Sequence, residues 1–151
     1  MHRSRLSPGV RDEYITAMHD LDAVLAANES FYRAFAEADI AAMEALWAER
    51  SPVACIHPGW PPLTERADVI ESWRRILANP GQDAPVCRAP EVLLFGDMAL
   101  VLCFEEIGGQ VLVASNYFVQ EAGGWRLVHH QSGPVNEAPR PKRAPGPRSL
   151  H

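Results

Sequence analysis

Residues 86–132 read VCRAPEVLLFGDMALVLCFEEIGGQVLVASNYFVQEAGGWRLVHHQS, and this stretch decides the fold class. Val86 to Phe95, Met98 to Ile107, Gln110 to Glu121 and Trp125 to Ser132 are apolar or β-branched runs. Gly96-Asp97, Gly108-Gly109 and Gly123-Gly124 separate them, and each pair is a hairpin signal. The pattern predicts four long strands in an antiparallel meander. Ala99-Leu100-Val101-Leu102 is apolar at both parities, whereas a sheet with one wet face would alternate. A second copy of the chain is therefore expected on the other face, giving a homodimer.

Upstream the period changes to that of helices. From Asp12, Leu21, Val24, Leu25, Asn28, Phe31, Tyr32 and Phe35 recur at three- and four-residue spacing on one face. Asp39 is a good N-cap for a second short helix carrying Ile40, Met43, Leu46 and Trp47. Val53 to His57 reads as a short strand, followed by the turn-rich loop His57-Pro58-Gly59-Trp60-Pro61-Pro62. Thr64 or Asp68 is expected to cap a third helix with Val69, Ile70, Trp73, Ile76 and Leu77 on one side, stopped at Asn79-Pro80-Gly81. The class is α+β, with three helices before the sheet.

The whole chain has 151 residues, which suits one domain with a full core. Residues 12–135 are expected to form it, between a flexible stretch 1–11 and an extended Pro/Arg-rich tail 136–151. The net charge of −5 offers no basic field for phosphate backbones, so nucleic acid is not an expected partner. No apolar run approaches the roughly 20 residues that span a bilayer, and no secretory signal is read. Cys55, Cys87 and Cys103 are odd in number, apolar in context and without metal-ligand spacing. They read as buried free thiols, which suits a reducing, cytoplasmic setting.

Three stretches resemble the nuclear transport factor 2-like (SnoaL-like) superfamily: ANESFYRAFAEADIAAMEALW (27–47), VACIHPGWPPLTERADVIESW (53–73) and GWRLVHHQSGPV (124–135). The last is also similar to the association domain of calcium/calmodulin-dependent protein kinase II. Many relatives carry Gly-Arg where this chain has Glu65-Arg66. The resemblance implies a cone, with a curved sheet and a short first strand wrapped around helices and a pocket on the concave side. It implies no single activity, because this superfold hosts isomerases, dehydratases, cyclases, binding modules and association domains.

His57 is the candidate catalytic residue. It ends an apolar strand before Pro58, and ketosteroid isomerases resemble this position with an Asp-Pro whose carboxylate shuttles protons. A histidine there can do acid–base work near neutral pH. His129 and His130 are adjacent on a strand, so at most one faces the pocket. Gln131 and Asn116 match pocket arginines of the kinase association domain, which argues against an anion site built on an arginine pair. Asn116 interrupts an apolar strand and so needs partners or a ligand. Trp60, in the proline-rich loop, is expected over the pocket entrance. Trp73, Tyr14 and Tyr32 complete the candidate lining. Glu105 and Glu106 straddle one strand; a surface edge is the expectation, a buried carboxyl of raised pKa the alternative.

No helical His pair, paired Cys, nucleotide-binding motif or nucleophile elbow is present, so no metal and no cofactor are expected. The reading is a domain that binds a small, largely apolar molecule, with isomerase, dehydratase or cyclase-type chemistry through His57. A noncatalytic binding or dimerisation module is the alternative.

Overall fold

The computed structural model describes residues 6–136. Helix α1 (Pro8–Ala36) begins four residues earlier than the periodicity suggested, with proline at its first position, where the missing N–H costs nothing. Residues 8–11 thus belong to the helix rather than to a flexible start. The tail expected from 136 onward falls, beyond Asn136, outside the described residues.

Val24 is the first buried residue of α1, followed by Asn28, Phe31, Tyr32 and Ala34. The preceding turns run for about 24 Å without a buried side chain. The helix ends where Ala38 adopts φ 51°, a left-handed conformation costing a non-glycine residue about 1 kcal/mol. The next residue recovers part of this, because the Asp39 carboxylate accepts from the Ala42 N–H at 3.0 Å and caps α2 (Ile40–Leu46).

Strand β1 (Ala54–Ile56) precedes α3 (Arg66–Ala78). Neither Thr64 nor Asp68 caps α3; Glu65 holds the cap position without a side-chain bond. Arg66 instead reaches back, its guanidinium donating to the carbonyls of Ala48 and Glu44 at 3.0 Å each. It satisfies acceptors left free at the end of α2 and locks the two helices together.

The meander follows as β2 (Val86–Phe95), β3 (Met98–Ile107), β4 (Gln110–Glu121) and β5 (Gly124–Pro134). Gly108 and Gly109 both have positive φ, as a two-residue hairpin turn between twisted strands requires. The sheet order is β1-β5-β4-β3-β2, and β1 joins β5 in parallel, so the sheet is mixed at that edge.

Three helices on this five-stranded sheet form the nuclear transport factor 2-like α+β cone. Trp47, Trp73, Phe31, Phe118, Met43 and Leu127 fill its core. Inward positions of β3 (Ala99, Val101, Cys103, Glu105) are buried, while Phe95, Leu93, Met98 and Val113 on the outer face stay exposed in the single chain.

One irregularity in β5 matters for the site. Tyr117 pairs with His129 and Phe118 with Leu127, which leaves Val128 as an extra residue, a β-bulge. The bulge shifts the inward parity, so Leu127 and His130 both point into the cone although three residues separate them.

Candidate functional site

A cavity of about 290 Å³ opens between the helices and the inner sheet face, at the small end for ligand pockets. Phe35 from α1 and Trp73 and Ile76 from α3 form one wall, and Ile107 and Leu112 from the sheet form the other. The polar groups are few: His57 at the end of β1, Glu105 on β3, and His130 and Ser132 on β5, with Gln82 at the rim. Among the described residues no lysine or arginine lines it.

His57 is buried, its ring edge-on to Trp73 and Trp60 at centroid distances of 4.8 and 5.0 Å. Its Nε2 lies 2.8 Å from Ser72 Oγ. The Ser72 hydroxyl donates its one hydrogen to the Val69 carbonyl at 2.6 Å, so towards His57 it can only accept. This fixes the Nε2–H tautomer and leaves Nδ1 with a lone pair and no partner among the described residues. Burial pushes the imidazole pKa down to about 4, so the ring is neutral at physiological pH.

His130 is held the opposite way round. Asn116 donates both amide hydrogens, to Asn28 Oδ1 at 2.9 Å and Tyr32 Oη at 3.2 Å. Its oxygen therefore accepts from His130 Nδ1–H at 2.6 Å, and the lone pair of His130 sits on Nε2. Burial first, then the neighbouring His57 and His129, lowers the His130 pKa to about 3. Tyr32 passes its own hydroxyl hydrogen to Glu105 Oε2 at 2.7 Å. Glu105 is 2% exposed, and burial raises its pKa against the opposing pull of bonds from Tyr32 and Ser132. Burial also drives the Tyr32 hydroxyl far up, so it does not ionise.

The thiols are free, and Cys55, buried beside the His57 ring, is pushed up to about 12 by desolvation. Among the described residues no group of three or more His, Cys, Asp or Glu side chains is placed to hold a metal ion.

Residues 24–136 match the SnoaL-like domain family. The chain belongs to that family. A candidate dehydratase of the nuclear transport factor 2-like family from Streptomyces avermitilis is 33% identical, with 79% of this chain and 98% of that one aligned at a TM-score of 0.72. A candidate calcium/calmodulin-dependent protein kinase type II association domain from Thiobacillus denitrificans is 34% identical, over 73% and 93% of the two chains, at 0.62. The calcium/calmodulin-dependent protein kinase II hub of S. rosetta, at 20% identity over 76% and 95% with a TM-score of 0.62, shares the fold. Comparison with curated proteins gives no significant match.

Within this SnoaL-like domain the residues singled out from sequence separate into three groups. His57, Trp60, Trp73 and His130 line the cavity, and Trp60, 44% exposed, packs edge-on against His57. Tyr32 and Asn116 form the buried network behind the lining. Tyr14, His129 and Gln131 lie elsewhere. Tyr14 is 59% exposed, because it sits on the turns of α1 that precede the first buried residue. His129 and Gln131 have the outward parity of β5, and the His129 ring bonds the Ala54 carbonyl at 3.1 Å. Glu105 is the buried alternative rather than a surface edge, since its parity on β3 matches Cys103 and Val101. Ser72 and Ser132 carried no signal in sequence; a serine one turn before the end of an apolar helix face looks like filler.

Glu105 and the two histidines load the pH dependence in opposite directions. A histidine pKa below its unfolded value of about 6.5 costs stability as pH falls from there towards 4, since the unfolded chain binds the extra protons. A raised carboxyl pKa costs stability as pH rises above the unfolded value of about 4.3. Glu105→Gln keeps an acceptor for Tyr32 and removes the second cost. It is expected to melt at a higher temperature than the parent at pH 8, the gain shrinking towards pH 4; a gain independent of pH would contradict the buried carboxyl.

Proposed function

We propose that this domain binds a small, largely apolar carbonyl compound and moves a proton on it, as an isomerase or dehydratase does, with His57 as the base. The observation that carries this reading is the Nε2–H tautomer set by Ser72, which leaves the Nδ1 lone pair without a partner among the described residues. A general base must hold a lone pair within reach of the proton it takes, with a pKa that keeps it unprotonated at working pH. The neutral His57 ring satisfies the second condition, and a substrate seated beside Nδ1 would supply the first. In this reading Nδ1 takes a proton from carbon beside the carbonyl, and the electron pair moves into the new carbon–carbon double bond. The carbonyl oxygen meanwhile takes up the charge of the enolate, beside Ser132 and the Glu105 carboxyl, whose pKa burial raises. The dehydratase description of the Streptomyces avermitilis relative supports the same chemical class. The free thiols suit a reducing compartment such as the cytoplasm.

A second, compatible reading concerns assembly. Phe95 (57% exposed), Leu93, Met98 and Val113 make an apolar patch on the outer sheet face, interrupted by the Arg88–Glu106 ion pair. Patches of this kind mark interfaces more often than solvated surface. The likeness to a kinase association domain supports two copies of this chain packing through that face.

Base catalysis is checked by hydrogen–deuterium exchange next to the carbonyl of 4-propylcyclohexanone in D₂O, followed by NMR. The parent protein should accelerate exchange over buffer, and His57→Gln should lose about 100-fold or more of that acceleration while melting cooperatively. Equal acceleration by the variant would exclude His57 as the base. For assembly, the parent should sediment as a dimer at micromolar concentration, and Phe95→Glu should weaken the dimer about tenfold or more. A monomeric parent would exclude the interface.

A further inference from the structure

If the cavity is the ligand site proposed above, its polar atoms can be assigned one by one, and one is left over. His57 Nδ1 is the base, and the Glu105 carboxyl with Ser132 faces the carbonyl oxygen. Apart from the exposed Gln82 amide and the Trp73 ring N–H, which is buried without a partner, the remaining group is Nε2 of His130. Its partner nitrogen is committed to Asn116, whose own hydrogens are both spent on Asn28 and Tyr32, so the ring cannot turn over without breaking a four-residue network. Nε2 is therefore a fixed acceptor inside a cavity, and it has no donor among the described residues. A ligand that supplies a hydrogen to this acceptor gains a bond held in fixed geometry.

We infer that the ligand is an uncharged ring compound bearing a hydroxyl group, and that this hydroxyl donates its hydrogen to Nε2 of His130. A ring suits the walls, which include the aromatic side chains of Trp73 and Phe35, packed edge to face 5.3 Å apart. Lack of charge follows from the lining. A carboxylate or phosphate would meet two imidazole lone pairs and a carboxyl group, with no lysine or arginine among the described residues to compensate it. His130 thereby becomes the residue that determines specificity, distinct from His57, which does the chemistry. A site that hydrogen-bonds a substrate hydroxyl rejects the analogue lacking it more strongly than an apolar pocket can reject an added methylene.

Three para-substituted rings of one shape separate the possibilities: 4-propylphenol, 4-propylanisole and 4-propylbenzoate. Each is titrated into the full chain labelled with ¹⁵N-histidine. The phenol should bind about tenfold tighter than the anisole, and the benzoate weaker than both. Phenol binding should shift the Nε2 resonance of His130, which the anisole leaves in place. His130→Phe should bring phenol and anisole to equal affinity; should that variant fold poorly, the resonance shift in the parent protein still decides.

Equal affinity of phenol and anisole in the parent, or tightest binding of the benzoate, would overturn the inference while leaving ketone exchange by His57 untouched. A phenol preference lost in His130→Phe, together with ketone exchange indifferent to His57→Gln, would sustain this inference and remove the catalytic one. No binding by any of the three would overturn the ligand assignment and the cavity's role together.

Discussion

The side-chain amide of Asn116 is the joint on which the interior depends. Three of its four hydrogen-bonding directions are used inside the cone: one hydrogen to Asn28, one to Tyr32, and one oxygen lone pair to His130. Two of those partners belong to α1 and one to β5, so a single buried amide ties the long helix to the sheet. It also decides which nitrogen of His130 carries the proton and where the Tyr32 hydroxyl points. An apolar residue at this place would pack as well, but would strand three polar groups where water does not reach.

The site's chemistry follows from two such locks working in opposite senses. Ser72 holds a hydrogen on the Nε2 side of His57, while Asn116 holds one on the Nδ1 side of His130. Burial keeps both rings neutral, and among the described residues no cation lines the cavity to offset an acid. The result is a space with apolar walls, two basic lone pairs and one carboxyl that resists ionisation. That combination suits proton transfer on an uncharged molecule far better than capture of an anion. The outer face of the same sheet has a different character, with exposed Phe95, Leu93, Met98 and Val113 beside the Arg88–Glu106 ion pair.

Much of this was legible in the chain itself. Glycine pairs and strand lengths defined the meander, and the helical spacing of Asn28, Phe31, Tyr32 and Phe35 marked the face that covers it. His57 could be placed because a strand end before a proline leaves little freedom. The two adjacent histidines could not be told apart, because counting parity along β5 fails at the bulge where Val128 is inserted. Tyr14 shares the helix with Tyr32, but periodicity cannot show where a long helix leaves the body of the domain. Ser72 was invisible for another reason: its importance lies in the direction of one hydrogen, which depends on the Val69 carbonyl and not on any pattern. Glu105 was ambiguous until its strand had neighbours on both sides.

The central claim is that the structure presents His57 as a neutral base with its lone pair on Nδ1. Two-bond ¹H–¹⁵N correlation spectra of ¹⁵N-histidine-labelled protein at neutral pH read this state directly. His57 should show a protonated Nε2 and a bare Nδ1, and Ser72→Ala should erode that preference towards a mixture of tautomers. A His57 ring protonated at Nδ1, or an imidazolium at neutral pH, would contradict the account.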